Sequence, residues 1–285
     1  MSNIIDGKIV AANIKKQVKT EVEKLSKNNI NVKLAVILVG DNPASQVYVN
    51  NKKKTCEELG ILSSQYVLSE DYGQERLLAL IENLNNDPTV NGILCQLPLP
   101  EGYDDKAIIE AINPIKDVDA FHPINVGKIM LNDYQFLPCT PAGVMEMLAY
   151  YGIEIAGKEC VIVGRSNIVG KPMSMLLLHK NGTVTTAHSR TNNLTDVCQR
   201  ADILVAAVGK PNFITADMVK DGATVIDVGI NRVDGKLCGD VDFDNVSRKT
   251  SWITPVPGGV GVCTIAMLMQ NTVTAAKLQN SIIAN

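Results

Sequence analysis

Apolar residues occur along the chain in short continuous runs that alternate with segments of helical spacing. In the first half, LAVILVG (34–40) and GILCQLPLP (92–100) are runs typical of strands buried on both faces of a parallel sheet. Ile9 to Asn28 and Ser45 to Leu59 repeat their apolar residues at helical spacing. The alternation predicts β-α-β units, in which helices cover both faces of a parallel sheet.

The same rhythm returns in the second half of the chain. ECVIVGRS (159–166), DILVAAVG (202–209) and ATVIDVGI (223–230) are predicted strands. Gly170 to Lys180 and Leu194 to Ala201 are predicted helices between them. We therefore predict an α/β protein with two α/β domains.

Two segments interrupt this pattern. Residues 114–140 are rich in Pro and turn formers, and we interpret them as a long, ordered functional loop. Residues 255–264, PVPGGVGVCT, form a second Gly- and Pro-rich break, after which Ala266 to Gln279 is a helix expected to pack on the first domain. The predicted boundaries are a first domain of residues 1–140, completed by residues 265–285, and a second domain of residues 141–264.

Composition narrows the class of protein. The 285 residues are 46% hydrophobic and 20% charged with a net charge of −3, which is ordinary for a globular chain and lacks the basic excess of a nucleic-acid-binding protein. No apolar run is long enough to span a membrane, and the N-terminal segment does not resemble a signal peptide, so we expect a cytoplasmic protein.

The cysteines and histidines give no sign of a metal site. The seven cysteines are scattered without a CxxC pair, and several lie in apolar runs, so we interpret them as buried, reduced thiols. None of the three histidines is spaced from another as metal ligands are. We predict no bound metal.

The segment Gly164 to Gly170, GRSNIVG, lies between a predicted strand and a predicted helix, where dinucleotide-binding proteins carry their glycine turn. Glycines there bring the backbone close to a pyrophosphate, and the helix N-terminus offers unpaired N–H groups. Ser166 stands where the second Gly of G-x-G-x-x-G is expected. An ordinary strand–turn–helix remains the alternative for this segment taken alone.

The end of the next predicted strand indicates which dinucleotide is bound. NAD-binding chains usually carry an acid there that accepts a hydrogen bond from the ribose 2′-hydroxyl. This chain instead has Ser189 and Arg190, and Arg165 in the preceding turn, which can bind a 2′-phosphate. The pattern favours NADP, although Arg190 taken singly could also be a solvated surface charge. We therefore predict that the second α/β domain is a Rossmann-type NAD(P)-binding domain.

One predicted helix carries a candidate catalytic pair. Tyr48 and Lys52 are four residues apart and therefore project from the same face. A lysine beside a phenol in an apolar cleft can lose its proton near neutral pH and act in proton transfer. The alternative is a solvated face, because Lys53 and Lys54 follow directly.

Polar residues also follow the predicted strand at 92–95. Gln96 lies at its carboxyl end, where parallel sheets place ligands. Asp117 and Asp119 lie in the next loop, where a carboxylate can accept two hydrogen bonds from an amidine-like edge such as that of a pterin. Capping of a local turn is the alternative, and we prefer it for Asp117.

These residues belong to blocks that resemble, over essentially the full length, the bifunctional methylenetetrahydrofolate dehydrogenase/cyclohydrolase family. The blocks are ASQVYVNNKKKTCEELGI (44–61), GILCQLPLP (92–100), KDVDAFHPINVGKI (116–129), PCTPAG (138–143), VIVGRSNIVGKPMSMLL (161–177) and TPVPGGVG (254–261). The resemblance implies two α/β domains flanking a cleft, usually in a homodimer, with the first domain catalytic and folate-binding. It also implies oxidation of methylenetetrahydrofolate with NADP, followed by hydrolysis of the methenyl product.

The resemblance implies a role for each group of site residues. Lys52 is expected to be the central catalytic residue, with Tyr48 and Gln96 positioning both it and the substrate. Asp119 is expected to hold the pterin. The further residues expected at the substrate are Leu97, Pro98, Pro257, Gly258 and Gly259. Those expected at the cofactor are Thr140, Gly164, Arg165, Ser166, Ile168, Val169, His188, Ser189, Arg190, Val208, Gly209 and Ile230.

The chain departs from the family pattern at two places. Ala120 stands where the family usually has Gly, which matters if the position needs a positive φ. Val262 and Cys263 stand where the family usually has Pro and Met, which restores one backbone N–H and puts the fine shape of the folate pocket in question.

Three other functions remain open at this stage. The nearest is a dehydrogenase of the same fold that lacks hydrolase activity or uses NAD. The second is a different two-domain oxidoreductase acting on a small acid, which would not need Asp119 or the loop at Pro257. The third is a non-catalytic dinucleotide sensor, against which the presence of Tyr48, Lys52 and Gln96 argues.

Overall fold

The computed structural model describes residues 2–282. Its strands are β1 (Asn3–Ile4), β2 (Lys33–Val39), β3 (Leu62–Leu68), β4 (Gly92–Cys95), β5 (Glu159–Val163), β6 (Thr183–Ala187), β7 (Ile203–Ala206), β8 (Thr224–Asp227), β9 (Asn231–Val233), β10 (Lys236–Cys238) and β11 (Trp252–Ile253). Its helices are α1 (Gly7–Lys27), α2 (Pro43–Leu59), α3 (Gln74–Asn86), α4 (Asp105–Ala111), α5 (Pro123–Met130), α6 (Cys139–Tyr150), α7 (Gly170–His179), α8 (Leu194–Gln199), α9 (Phe243–Val246) and α10 (Val260–Gln279).

The chain divides into two compact units, and the three divisions fall inside α1, just before α6 and inside α10. The six-stranded unit comprises the chain up to Ala12 together with Pro138–Thr264. The three-stranded unit comprises Asn13–Leu137 and the chain from Ile265 onward. This division differs from the predicted boundaries for residues 138–140, by three residues, and for residues 1–12, because β1 pairs in parallel with β11 in the six-stranded sheet.

The three-stranded unit is built on a parallel sheet with the order β3-β2-β4. Its central strand β2 is a continuous apolar run that is buried from Leu34 to Val39, as expected for a strand covered on both faces. Leu77, Ile81 and Ile108 of α3 and α4 pack on one face of this sheet. Because all three strands are parallel, the loops that follow β2 and β4 both start at the carboxyl ends of the strands, on the same side of the unit.

The six-stranded unit has a parallel sheet with the order β1-β11-β8-β7-β5-β6. Strand β5 pairs with the next strand, β6, on one side and with β7 on the other. The strand order therefore reverses beside β5, and ligands of open α/β sheets bind at the carboxyl ends of the strands at such a point. The segments after β5 and β7 are the places to look for a ligand.

Two loop predictions are wrong in part. Residues 114–140 contain the helix α5, which begins with Pro123 after an N-cap at His122. Proline is favourable in the first turn of a helix, so the Pro signal marked a helix start. Likewise, α10 begins at Val260, inside the predicted break at 255–264, because a first turn tolerates Gly261.

Short elements escaped the sequence analysis. Strands β9 and β10 form an antiparallel hairpin whose turn, Asp234-Gly235, has positive φ at both residues. The Asp-Gly pair is a hairpin signal, but the short flanking segments, NRV and KLC, lack the apolar alternation that would predict strands. The two-residue strands β1 and β11 carry no periodicity to detect. Among the described helices, none combines the length and apolarity that a membrane span requires.

Candidate active site

Lys52 is the buried lysine of the three that lie together on α2. It is 9% exposed, whereas Lys53 and Lys54 are exposed. Its Nζ donates a hydrogen bond of 2.8 Å to Oε1 of Gln96, which follows β4. Burying a lysine is unfavourable unless its amine is hydrogen-bonded, and Gln96 provides one acceptor. The structure therefore places Lys52 beside the carboxyl end of β4 in the three-stranded unit.

Gln96 is held by hydrogen bonds through its backbone and through its side-chain amide. Its backbone N–H donates to the carbonyl of Ile37 at 2.9 Å, which extends the pairing of β4 with β2. Its Nε2 donates to the carbonyl of Leu97 at 2.8 Å, which orients Oε1 toward Lys52. The half-buried Leu97 and the exposed Pro98 follow, joined by a cis peptide bond. The amide thus holds one orientation and directs the lysine amine.

Tyr48 lies one turn before Lys52 on α2 and is half-buried. Burial raises the pKa of its phenol above the ordinary value. The phenol therefore stays protonated at neutral pH and can both donate and accept a hydrogen bond.

Asp119 lies near the carboxyl end of β4. Residues 116 and 117 run alongside β4. Ile93 of β4 forms a parallel β-bridge with Asp117, and the N–H of Ile93 donates a hydrogen bond of 2.8 Å to the carbonyl of Lys116. Burial raises the pKa of the Cys95 thiol to about 12, and the charges of Asp105 and Asp119 add to the rise. Asp119, which is half-buried, is thus close enough to the end of β4 for its charge to act there.

Asp117 has a different role from its neighbour. Its carboxylate accepts hydrogen bonds of 2.8 Å from the N–H of His122 and from Nδ2 of Asn125. Burial raises the pKa of Asp117, and these hydrogen bonds act in the opposite direction. The carboxylate therefore ties the loop to α5 across several residues, instead of capping the local turn that we preferred for it.

The segment that carries Asp119 is also held by a residue that the sequence analysis missed. Asn271 of α10 is 5% exposed, and its Nδ2 donates to the carbonyls of Val118 at 2.8 Å and Leu137 at 2.9 Å. No local sequence signal identifies it, because its partners lie more than a hundred residues away. Asn271 fixes the backbone beside Asp119.

In the six-stranded unit, the turn after β5 has the close packing of a dinucleotide-binding turn. A Cβ at Gly164, whose φ is +135°, would lie 2.2 Å from the carbonyl oxygen of Ala207, and a Cβ at Gly170 would lie 2.2 Å from that of Gly164. Ser166 accepts hydrogen bonds through Oγ from the N–H groups of Val169 at 3.2 Å and Gly170 at 3.3 Å. The serine in place of the second glycine therefore caps the start of α7.

Two arginines lie at the carboxyl ends of adjacent strands. Arg165 follows β5 and Arg190 follows β6, and both are exposed, as is Ser189. Two hydrogen bonds of His188 order the backbone here. Its Nδ1 accepts one of 3.1 Å from the N–H of Arg190, and its backbone N–H donates one of 2.8 Å to Thr191 Oγ1. A site with arginines and no acid suits a phosphate ester at this strand end.

The remaining predicted cofactor residues also lie in the six-stranded unit. Val208 and Gly209 follow β7, and both donate their N–H groups to the buried carboxylate of Asp240, another residue that the sequence analysis missed. Ile168 and Ile230 are exposed after β5 and β8. Thr140 forms a hydroxyl–hydroxyl hydrogen bond of 3.0 Å with Thr264.

The predicted folate loop of Pro257, Gly258 and Gly259 belongs to the six-stranded unit as well. Val256 and Pro257 are joined by a cis peptide bond, and the carbonyl of Gly258 accepts a hydrogen bond of 3.0 Å from the N–H of Gly7. Cys263, one of the departures from the family pattern, is fully buried and donates through Sγ to the carbonyl of Gly7 at 3.3 Å. Val262 lies in the first turn of α10, where a backbone N–H needs no helical acceptor, so the loss of Pro changes little.

The fold and these sites define the chain as a two-domain α/β enzyme with a dinucleotide-binding domain. The family model for the catalytic domain of tetrahydrofolate dehydrogenase/cyclohydrolase matches residues 5–119. The model for the NAD(P)-binding domain of the same family matches residues 138–280. The chain therefore belongs to the tetrahydrofolate dehydrogenase/cyclohydrolase family.

Individual relatives agree over nearly the whole chain. A bifunctional protein FolD of Acetivibrio thermocellus is 62% identical over 279 residues, which cover 98% of each chain. The crystal structure of a bifunctional FolD methylenetetrahydrofolate dehydrogenase/cyclohydrolase from Campylobacter jejuni is 52% identical, with a TM-score of 0.95 over 97% of this chain and 99% of that one. The FolD of Trypanosoma brucei, solved with NADP and an inhibitor, is 37% identical, with a TM-score of 0.94 over 99% of each chain.

Proposed function

We propose that this protein oxidises 5,10-methylenetetrahydrofolate to 5,10-methenyltetrahydrofolate with NADP and then hydrolyses the product to 10-formyltetrahydrofolate. One observation carries the proposal: in a chain of this family, Lys52 is buried on α2 with its amine 2.8 Å from Oε1 of a fixed Gln96. A buried amine held by a neutral acceptor suits proton transfer, which the hydrolytic step needs.

NADP is the cofactor that the six-stranded unit fits. The close approach of Gly164, Gly170 and Ala207 leaves the backbone bare where a pyrophosphate would bind. Arg165 and Arg190 supply positive charge at the strand ends where an NAD-binding chain would carry an acid. When bound, NADP supplies the acceptor for the hydride that leaves the one-carbon bridge.

Lys52 moves the protons of the hydrolytic step in this proposal. The neutral amine accepts a proton from the water whose oxygen bonds to the methenyl carbon. The bond from that carbon to N5 of the pterin then breaks and N5 takes this proton back from Lys52. The second proton of the water passes to solvent as the formyl C=O forms, so that one proton is released for each cationic methenyl substrate. Gln96 keeps the amine directed through its hydrogen bond, while Tyr48 and Asp119 hold the pterin, the latter by accepting hydrogen bonds from its amidine-like edge.

Further proposals follow from the family. We propose that the three-stranded unit, which holds most of residues 1–140 together with 265–285, forms the catalytic, folate-binding domain, and that the six-stranded unit, which holds residues 141–264, forms the NADP-binding domain. We also propose a homodimer, which sedimentation equilibrium would test, and a cytoplasmic location, which suits seven free cysteines, six of them buried. Fractionation of cells would test the location.

A turnover assay tests the activity against its rivals. Purified protein is given methylenetetrahydrofolate with NADP or NAD, and formation of the reduced nucleotide is followed separately from decay of the methenyl compound. We expect reduction with NADP and decay of added methenyltetrahydrofolate without any nucleotide. Reduction with NAD alone, or no methenyl decay, would support a NAD-dependent or monofunctional dehydrogenase. Absence of turnover would favour a dinucleotide sensor or an enzyme for a small acid.

A further inference from the structure

A buried carboxylate lies beneath the loop that follows β7. Asp240 is 0% exposed, and its Oδ2 accepts hydrogen bonds from the N–H groups of Val208 at 2.6 Å and Gly209 at 2.9 Å. Its Oδ1 accepts one from the N–H of Lys210 at 2.9 Å. Successive backbone N–H groups that converge in this way form an anion-binding concavity. Here an internal carboxylate fills it.

The same carboxylate also holds the segment that follows β8. Nδ2 of Asn231 donates to Asp240 Oδ1 at 2.9 Å. Asn231 is the residue after Ile230, and Val208 and Gly209 are the residues bound on the other side. One side chain therefore ties together the two segments that carry three of the expected cofactor contacts.

A second buried carboxylate fixes the first. Asp227, at the end of β8, accepts hydrogen bonds of 2.9 Å through Oδ1 from the N–H groups of Asp240 and Gly229, and through Oδ2 from the N–H of Val241. Its own N–H donates to Thr254 Oγ1 at 2.7 Å. Asp240 is thus immobilised through its backbone as well as through its side chain.

The chain keeps room for both carboxylates. A Cβ at Gly229 would lie 2.2 Å from Asp240 Oδ1, and a Cβ at Gly239 would lie 1.8 Å from Asp227 Oδ2. Any other residue at either place would displace a carboxylate oxygen. The pair therefore depends on glycine at 229 and 239.

The link to the cofactor turn is a single peptide group. In a trans peptide, the N–H of Val208 and the carbonyl of Ala207 point in opposite directions. The N–H is bonded to Asp240, and the carbonyl oxygen faces Gly164, where a Cβ would be only 2.2 Å away. Asp240 therefore sets how closely the β7 loop approaches the glycine turn after β5.

We infer that Asp240, held by Asp227, is a positioning residue that fixes the Val208–Lys210 and Ile230–Asn231 segments for NADP binding. The inference rests on the proposed function for the identity of the cofactor. Asp240 makes no catalytic contact in this account. Its loss should weaken cofactor binding and leave the chemistry of Lys52 intact.

Asp240→Asn tests the inference. The carboxylate accepts from four N–H groups, two at each oxygen, so either orientation of an amide sets its NH2 against two donors. We expect KM for NADP and the dissociation constant of NADP, measured by direct titration, to rise about tenfold or more. Hydrolysis of methenyltetrahydrofolate without nucleotide should stay within about twofold of the wild-type rate. Asp244→Asn, an exposed aspartate of α9, is the matched control and should leave both activities unchanged.

Two results for Asp240→Asn would overturn the positioning role. A parallel loss of both activities with a lower Tm would make Asp240 merely structural, and unchanged NADP binding would also overturn the inference. If Asp240→Asn fails to fold, Asn231→Ala replaces it as the test, because it removes one of the four hydrogen bonds to the Asp240 carboxylate. A raised KM for NADP with normal hydrolysis would support the positioning role of Asp240. An unchanged KM for NADP would overturn it. A wild-type protein that binds NADP but does not oxidise the folate would refute the proposed function, while the titrations would still test Asp240.

Discussion

Ala120 adopts a left-handed backbone conformation, with φ of +58°, directly after Asp119. Its N–H donates to the carbonyl of Asp117 at 3.1 Å, which closes the turn, and its methyl group is fully buried. This conformation costs a non-glycine residue about 1–2 kcal/mol. The buried methyl returns about 0.8 kcal/mol. The alanine that replaces the family's usual glycine therefore has a net cost of at most about 1 kcal/mol.

Replacing Ala120 with valine should be much worse. A β-branched side chain is strongly disfavoured at positive φ, and this site is already packed. We expect Ala120→Val to lower the free energy of unfolding by about 2 kcal/mol or more and to raise KM for the folate by displacing Asp119. Urea denaturation measures the first effect. Ala120→Gly is the control and should change stability by less than about 1 kcal/mol. A valine variant as stable as the wild type would contradict the account of this turn.

Asp227 gives the fold a pH dependence of known sign. Burial raises its pKa to about 6, although its three backbone hydrogen bonds oppose the rise. In an unfolded chain the pKa is about 3.9, so the folded protein binds this proton more tightly. The group therefore contributes most stability below about pH 3.9, and the contribution is lost as the pH rises through about 6.

The comparison with Asp227→Asn isolates this contribution. We expect the free energy of unfolding of the wild type, relative to the variant, to be about 1.4 kcal/mol greater at pH 5 than at pH 7.5. Denaturant titrations of both proteins at the two pH values measure it, because the other titrating groups cancel in the difference. Identical differences at both pH values would mean that the pKa of Asp227 is not raised.

At the scale of elements, α10 organises the segment that contains Asp119. Asn271 binds the carbonyls of Val118 and Leu137, which stand near the two ends of that segment. Farther along α10, Nζ of Lys277 bonds to Oε2 of Glu21 on α1 at 2.6 Å. These contacts join the last helix to the three-stranded unit.

Asn271→Ala should therefore affect folate binding from a distance. The variant leaves two buried carbonyls without this donor, which costs about 1–3 kcal/mol of stability. Because Val118 precedes Asp119, we expect KM for the folate to rise while NADP binding stays unchanged. Steady-state kinetics with each substrate varied separately measure both. Asn280→Ala, which removes only a bond within the last turn, is the control. An increase in KM for NADP of the same size would refute a local role.

The sequence was most informative where a pattern is local. The apolar run of β2, the Tyr48–Lys52 spacing and the glycine turn after β5 can each be recognised within a few residues. The roles of Asn271 and Asp240 could not be, because each acts on backbone groups that lie 30 or more residues away. The burial of Lys52 among three successive lysines likewise depends on where Gln96 lies in the folded sheet.

For the whole molecule, the proposed catalytic residues lie in a different unit from the glycine turn and arginines of the cofactor site. Lys52, Tyr48, Gln96 and Asp119 lie in the three-stranded unit, and the glycine turn and its arginines lie in the six-stranded unit. Hydrolysis needs a proton-transfer group and no nucleotide, whereas oxidation also needs NADP. Substitutions that weaken only NADP binding in the six-stranded unit should therefore impair oxidation and spare hydrolysis, as the comparison of Asp240→Asn with Lys52→Met would reveal.

The most direct test of the account is hydrolysis of methenyltetrahydrofolate by Lys52→Met, compared with Lys53→Met. Both substitutions remove an amine from the same helix, but only Lys52 is buried and bonded to Gln96. We predict that Lys52→Met loses at least about 100-fold of the hydrolytic rate while binding NADP normally, and that Lys53→Met retains the wild-type rate. Wild-type hydrolysis by Lys52→Met would contradict the role of this lysine and, with it, the proposed mechanism.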